Sequence, residues 1–255
     1  MKEQQKKYEL TDEFIEHWSG KKLYRIRALV TFGAVVAGQL GGFVESEKNL
    51  DQSLSGNAWV YGDALVYGDA RVYGNAWVYG DARVYGDAEV YGNAWVYGDA
   101  RVYGDAEVYG NAWVYGDAEV YGDALVYGDA RVYGDAEVYG NAWVYGDARV
   151  YGDAWVYGDA RVYGDARVYG NARVRSYAVI SERKMIFWAS NVGSENGTLT
   201  VFNGKGGLIV TRGCFTGTVD EFLAKSAEVH DDKIKNEYKL LIEVAKSRIL
   251  GVKDE

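Results

Sequence analysis

A single cysteine, Cys214, excludes an intramolecular disulfide, and two histidines, His17 and His230, leave little material for imidazole chemistry. No long apolar run is present either. The most apolar stretch, 28–44, carries four Gly with Thr31 and Gln39 and falls short of the roughly 20 apolar residues a bilayer span needs; buried strands are expected there, and no membrane. The first residues, Met1-Lys2-Glu3-Gln4-Gln5-Lys6-Lys7, run into charge rather than an apolar leader, which points to a cytoplasmic protein. Excess positive charge is missing too: the formal net charge is -9, so a non-specific grip on nucleic-acid phosphate is not expected.

What the chain has is repetition. From Val60 to Val174 a Val recurs every six residues in the pattern Val-Tyr-Gly-(Asp/Asn)-Ala-x, giving twenty hexads over 55–174. Gly followed by Asp or Asn is a turn signal, and the Ala-x-Val-Tyr between turns is a short strand. Alternation along a strand puts Ala and Val on one face and x and Tyr on the other. Position x holds Arg71, Arg83, Glu89, Arg101, Glu107, Glu119, Arg131 and Glu137. Columns of charge do not fit a narrow apolar core, so Ala and Val point in and Tyr points out.

At a spacing of three hexads Trp59, Trp77, Trp95 and Trp113 fall in one column; 74–91 and 92–109, each three hexads long, are also identical. Triangular 18-residue coils are therefore expected, each strand pairing in parallel with the one a coil away. The fold class expected is an all-β solenoid, with a small α+β C-terminal module.

The hexad Val-Tyr-Gly-Asp-Ala-Arg resembles the hexapeptide repeat of the left-handed β-helix superfamily in its aliphatic, turn and small positions, and departs from it in placing Tyr after the aliphatic residue. The resemblance implies a left-handed parallel β-helix. It says little about function, since that superfamily includes acyltransferases, carbonic anhydrases, binding modules and ice-binding proteins. Its acyltransferases use a His base at a groove between subunits and loops that interrupt the repeats. Here both His lie outside the hexads and no loop interrupts them, so acyl transfer is only the alternative reading. Zinc carbonic anhydrases need three His ligands.

Residues 1–54 are expected to form an N-terminal helix and entry strands, Arg25–Val30, Val35–Gly38 and Leu40–Val44, that cap the solenoid. With Asn49-Leu50 and 56–60 these strands resemble the entry segment of a family of bacterial and phage proteins grouped with hexapeptide transferases. In 175–255, Leu199–Phe202 and Leu208–Thr211 flank the hairpin signal Asn203-Gly204-Lys205-Gly206-Gly207. Thr218-Val219-Asp220-Glu221 is a capping box opening a helix to about Glu228, and Asp232 starts a second. Arg212–Phe222 resembles a module that ends phage-encoded proteins, which implies a phage or prophage origin.

No catalytic set, metal site or cofactor is expected. Cys214 with His230 is the nearest approach to a nucleophile and base, and a lone Cys is more often a small buried residue. Asp63, Asp81, Asp99, Asp117, Asp135 and Asp153 form a corner column that could collect cations, although turn Asp usually caps its own turn. The candidate binding face is the exposed Trp column, Trp59, Trp77, Trp95 and Trp113, beside Tyr61, Tyr79, Tyr97 and Tyr115, because a large aromatic patch marks a contact surface. The function expected is a non-enzymatic scaffold or binding protein. Its partners would be copies of itself, a trimer being usual in the superfamily it resembles, or another protein, a carbohydrate or a small molecule. A phage counter-defence protein that sequesters a host protein or nucleotide signal is the other alternative.

Overall fold

The computed structural model describes residues 5–251. Hexads follow one another as the sides of a three-sided coil. Trp95–Gly98, Arg101–Gly104 and Glu107–Val108 are the three strands of one turn. Trp95 pairs in parallel with Trp77 and Trp113, Arg101 with Arg83 and Glu119, and Glu107 with Glu89 and Leu125, each partner three hexads away along the chain. The ladder bonds run from coil to coil, Trp95 N donating to Ala112 O at 2.9 Å and Arg101 N to Ala118 O at 2.9 Å.

The result is three parallel sheets. The first face has seven strands, from Trp59–Val60 to Arg167–Val168; the second runs from Leu65–Val66 to Arg173–Val174; the third has seven strands, from Arg71–Val72 to Val179–Ile180. Inside, every Ala and Val from Ala58 to Val174 is buried in one continuous core. Each buried Val contributes about 1.5–3 kcal/mol, and only stacking on a neighbouring coil seals it. Corners need glycine for two reasons. Gly98 has φ 73°, and a Cβ there would stand 3.1 Å from Gly116 N in the next coil. One corner also carries an amide ladder, with Asn75 Nδ2 donating to Asn93 Oδ1, Asn93 to Asn111 and Asn111 to Asp129 at 3.0–3.1 Å.

The parallel ladder extends past both ends of the hexad run. β3 (Leu40–Val44) pairs with Leu65–Val66, and behind it β2 (Lys22–Ala28) and β1 (Tyr8–Glu16) add antiparallel strands to the second face, making that sheet ten-stranded. Among the described residues the expected N-terminal helix does not form, and Tyr8–Glu16 is a strand. β1 places Leu10 opposite Ile26 and Phe14 opposite Tyr24, and this pairing, together with burial of Tyr8, outweighs the helical reading of its charged residues. Val35–Gly38 is turn rather than strand, apart from a bridge between Phe32 and Val35. No helix among the described residues is long and apolar enough to cross a membrane.

Both ends satisfy the backbone groups that stacking leaves open. At the first coil the buried Lys7 Nζ donates to Gly56 O and Ala58 O, and Asn49 Nδ2 donates to Gly68 O and Ala70 O. Burial pulls the Lys7 pKa down to about 8, against the opposing pull of Asp51. At the last coil Arg173 N donates to Thr200 Oγ1 at 3.1 Å, Thr211 Oγ1 donates to Arg173 O at 2.8 Å, and Asn203 Nδ2 donates to Val179 O at 3.0 Å.

Those three side chains belong to a four-stranded antiparallel meander, Ile186–Val192, Gly197–Gly204, Gly207–Arg212 and Phe215–Thr218. It presses Ile186 and Phe202 onto the open core. Helices α1 (Val219–Val229) and α2 (Asp232–Leu250) follow, α1 opened by the Thr218–Glu221 capping box that the sequence signals. The small α+β C-terminal module is thus present and closes the tube.

Candidate functional site

The first face carries the aromatic column. Trp77, Trp95 and Trp113 stack with centroids 5.3 Å apart and planes within 9° of parallel. Tyr79 and Tyr97 stack at 4.7 Å, and Tyr97 and Tyr115 at 4.8 Å, beside them. The stack is closed at both ends, by Tyr61 5.1 Å from Trp77 and by the Arg131 guanidinium 4.9 Å from Trp113. All of these side chains are half-buried. Ring faces are taken up by neighbouring coils, so what reaches solvent is a row of ring edges.

Trp59 does not belong to the exposed column. It is fully buried, with Tyr8 6.1 Å and Phe32 5.4 Å from its ring. The N-terminal cap folds over the first coil and takes this Trp as its own core, leaving Nε1 without a hydrogen-bond partner. The usable column is therefore three Trp long. Stacking also covers two Trp outside it: Arg161 lies over Trp143 at 4.7 Å and Arg173 over Trp155 at 4.5 Å.

Four tyrosines on the other two faces are held by carboxylates. Tyr73, Tyr91, Tyr103 and Tyr121 donate to Glu89, Glu107, Glu119 and Glu137 of the next coil at 2.6–2.9 Å. Burial first, and then the carboxylate acceptor, hold these phenols well above the ordinary tyrosine range. For Tyr97 burial, with Tyr79 and Tyr115 adding to it, pushes the pKa up to about 12.

Eight segments between residues 64 and 182 match the family model described as the YdcK beta solenoid repeat: 64–80, 82–98, 100–116, 118–134, 130–146, 142–158, 160–176 and 166–182. The first four start three hexads apart, which is one coil. The chain is a β-solenoid repeat protein. A comparison with curated proteins gave no match.

The solenoid keeps the two histidines at its two ends. His17 packs against Tyr67 with ring centroids 4.6 Å apart and planes tilted by 43°, its Nδ1 2.8 Å from Ser19 Oγ. His230 sits after α1, with Nδ1 3.2 Å from Ser226 Oγ, its ring against Tyr238. Cys214 is exposed and lines a cleft of about 380 Å³ with His230, Phe215, Phe222 and Tyr238. The two residues share that cleft with no hydrogen bond between them, and the group at His230 Nδ1 is the Ser226 hydroxyl rather than a carboxylate. Along the solenoid corners the Asp column is spread one residue per coil, and among the described residues no group of three or more His, Cys, Asp or Glu is arranged to hold a metal.

Sequence reasoning missed the end-capping polar groups, Lys7, Asn49, Thr200, Thr211 and Asn203. No local pattern marks them, because each is defined by a carbonyl or N–H that comes from a distant coil.

Proposed function

We propose that this β-solenoid is a rigid, non-enzymatic scaffold that holds its two end modules at a set distance and docks a protein along the Trp77–Trp95–Trp113 edge of the first face. The observation that carries this is the unbroken ladder. Twenty hexads stack without an inserted loop, the interior is filled by Ala and Val, and both ends are hydrogen-bonded into caps. Rigidity and length are what such a tube supplies. From Trp59 to Arg167 the first face advances six coils, about 29 Å at about 4.8 Å per coil.

A row of ring edges favours a protein partner over a sugar, since a sugar ring stacks on aromatic faces and these are occupied. The phage-like end segments support a phage or prophage setting for the scaffold. Changing Trp77 and Trp95 together to Ala should leave the β-sheet circular dichroism intact and lower Tm by only a few degrees, since both are half-buried. It should also remove the partner from protein purified gently out of its host and weighed by native mass spectrometry. An unchanged mass distribution in the double variant would contradict docking on the first face.

A further inference from the structure

Between Phe43 on the entry strand and Arg173, whose guanidinium lies over Trp155, on the last strand, the second face reads, coil by coil, Leu65, Arg83, Arg101, Glu119, Glu137, Trp155 at the outward position before each Val, and these six are in register on successive strands. Like charges are stacked directly, Arg83 beside Arg101 and Glu119 beside Glu137, which costs stability in an isolated sheet. Only the middle pair is neutralised within the chain, Arg101 Nη1 lying 3.0 Å from Glu119 Oε1. Arg83 and Glu137 make no ion pair among the described residues, although Glu137 accepts the Tyr121 hydroxyl.

The order is its own complement when reversed. A twofold axis lying across the face, between the coils of Arg101 and Glu119, sets Leu65 opposite the partner's Trp155, Arg83 opposite the partner's Glu137 and Arg101 opposite the partner's Glu119. The remaining three pairs follow by symmetry, as an isologous interface requires. The face is also flat enough to meet a copy of itself: the Tyr67, Tyr85, Tyr103, Tyr121 and Tyr139 rings stack at 4.8–5.0 Å with planes 1–3° apart. Neither other face has this property. Reversing the seven-stranded third about its midpoint, Leu125, sets Glu89 opposite the partner's Arg161 but leaves Arg71 beside the partner's Val179 and Glu107 beside the partner's Trp143, and the first has no acidic residue in its outward column.

We infer that two copies of the chain associate antiparallel through their second faces, with the Arg-Arg-Glu-Glu column setting the register. A threefold axis along the rod would instead hold each coil level with the same coil of its neighbours. That arrangement could set Arg83 and Arg101 against the partner's Glu89 and the partner's Glu107 on a third face, but it leaves Glu119 and Glu137 beside the partner's Leu125 and the partner's Trp143. The twofold uses all four charges.

Six coils of about 4.8 Å and strands of about four residues give a face roughly 29 Å by 13 Å, small beside the ~800 Å² per partner of a stable interface. The dimer is therefore weak and salt-sensitive, and it is measured by sedimentation from micromolar to several hundred micromolar protein at low salt. The wild type is expected to reach a dimer. Arg83→Glu and Glu137→Arg, both outward-facing, should each weaken it at least about tenfold, because each sets like charges together twice. An equimolar mixture of the two variants should recover association to near the wild-type level, because each chain then meets opposite charge at positions 83 and 137 of the other.

Recovery in the mixture also shows that both variants are folded. If either charge reversal loses its circular dichroism, Arg83→Gln and Glu137→Gln replace the pair, each expected to weaken the dimer about threefold or more. A wild type that stays monomeric or forms a trimer, an Arg83→Glu chain that associates as before, or a mixture no better than its components would overturn the twofold.

Discussion

Val102→Asp is expected to destroy the cooperative fold of the central coils at neutral pH. Val102 is fully buried and paired on either side with Val84 and Val120, so a carboxylate there has no water and no cation. The change removes about 1.5–3 kcal/mol of apolar burial and adds an uncompensated buried charge costing several kcal/mol more. In a chain of this size about 5 kcal/mol lowers Tm by roughly 10–20 °C. Because coils are stabilised only by their neighbours, the damage spreads in both directions along the tube.

The pH dependence has a definite sign. A carboxyl in this core has a folded pKa above its unfolded value, so the folded variant binds a proton more readily than the unfolded chain does. The deficit relative to wild type should shrink as pH falls toward 4 and be complete at pH 7. Val102→Ala, which removes only apolar contact, should show a smaller loss and no such dependence. A Val102→Asp protein that melts like the wild type would mean that Val faces outward.

The second large effect is alkaline. Burial raises the pKa of many outward tyrosines, with Tyr97 and Tyr139 at about 12 and Tyr73, Tyr91, Tyr103 and Tyr121 held higher still by burial and their Glu acceptors. Their contribution to stability is complete below pH 10, where the unfolded chain also keeps its phenolic protons. It is lost as pH rises from 10 toward those folded values, because the unfolded chain then releases protons that the folded one retains. The larger part of the phenolate absorbance should therefore appear only above pH 10, rising abruptly together with loss of β-sheet circular dichroism. A gradual titration centred near pH 10 with the dichroism retained would show that the Tyr ladders are not held as described.

How much of this was legible in the sequence depended on whether the cause was local. The inward Ala and Val, the three-sided coil and the Gly corners were readable because a charge at Arg83 or Glu107 cannot be buried and a three-hexad period leaves columns. The Thr218–Glu221 capping box was readable for the same reason: four consecutive residues contain it. Trp59 was read as exposed because its place in the Trp column is indistinguishable from that of Trp77; what buries it is Tyr8 and Phe32, from a cap that folds back from the start of the chain. β1 was missed because strand pairing with Lys22–Ala28 decides it, and the Thr200 and Thr211 bonds to Arg173 were invisible for want of any pattern around them.

The central claim, a rigid tube advancing one coil per three hexads, is tested most directly by a distance between its ends. Spin labels on the exposed Cys214 and on a cysteine introduced at the exposed Ser19, in protein diluted with unlabelled chains, give that distance in the wild type and after deletion of residues 92–109 or of 98–109. The three-hexad deletion should move a narrow distance distribution by about 5 Å toward shorter values, as the rod loses one coil and the C-terminal module keeps its face. The two-hexad deletion should turn that module by a third of a revolution and give a different, equally narrow distance. Broad distributions, or two deletions that merely scale with the number of residues removed, would contradict a rigid three-sided solenoid.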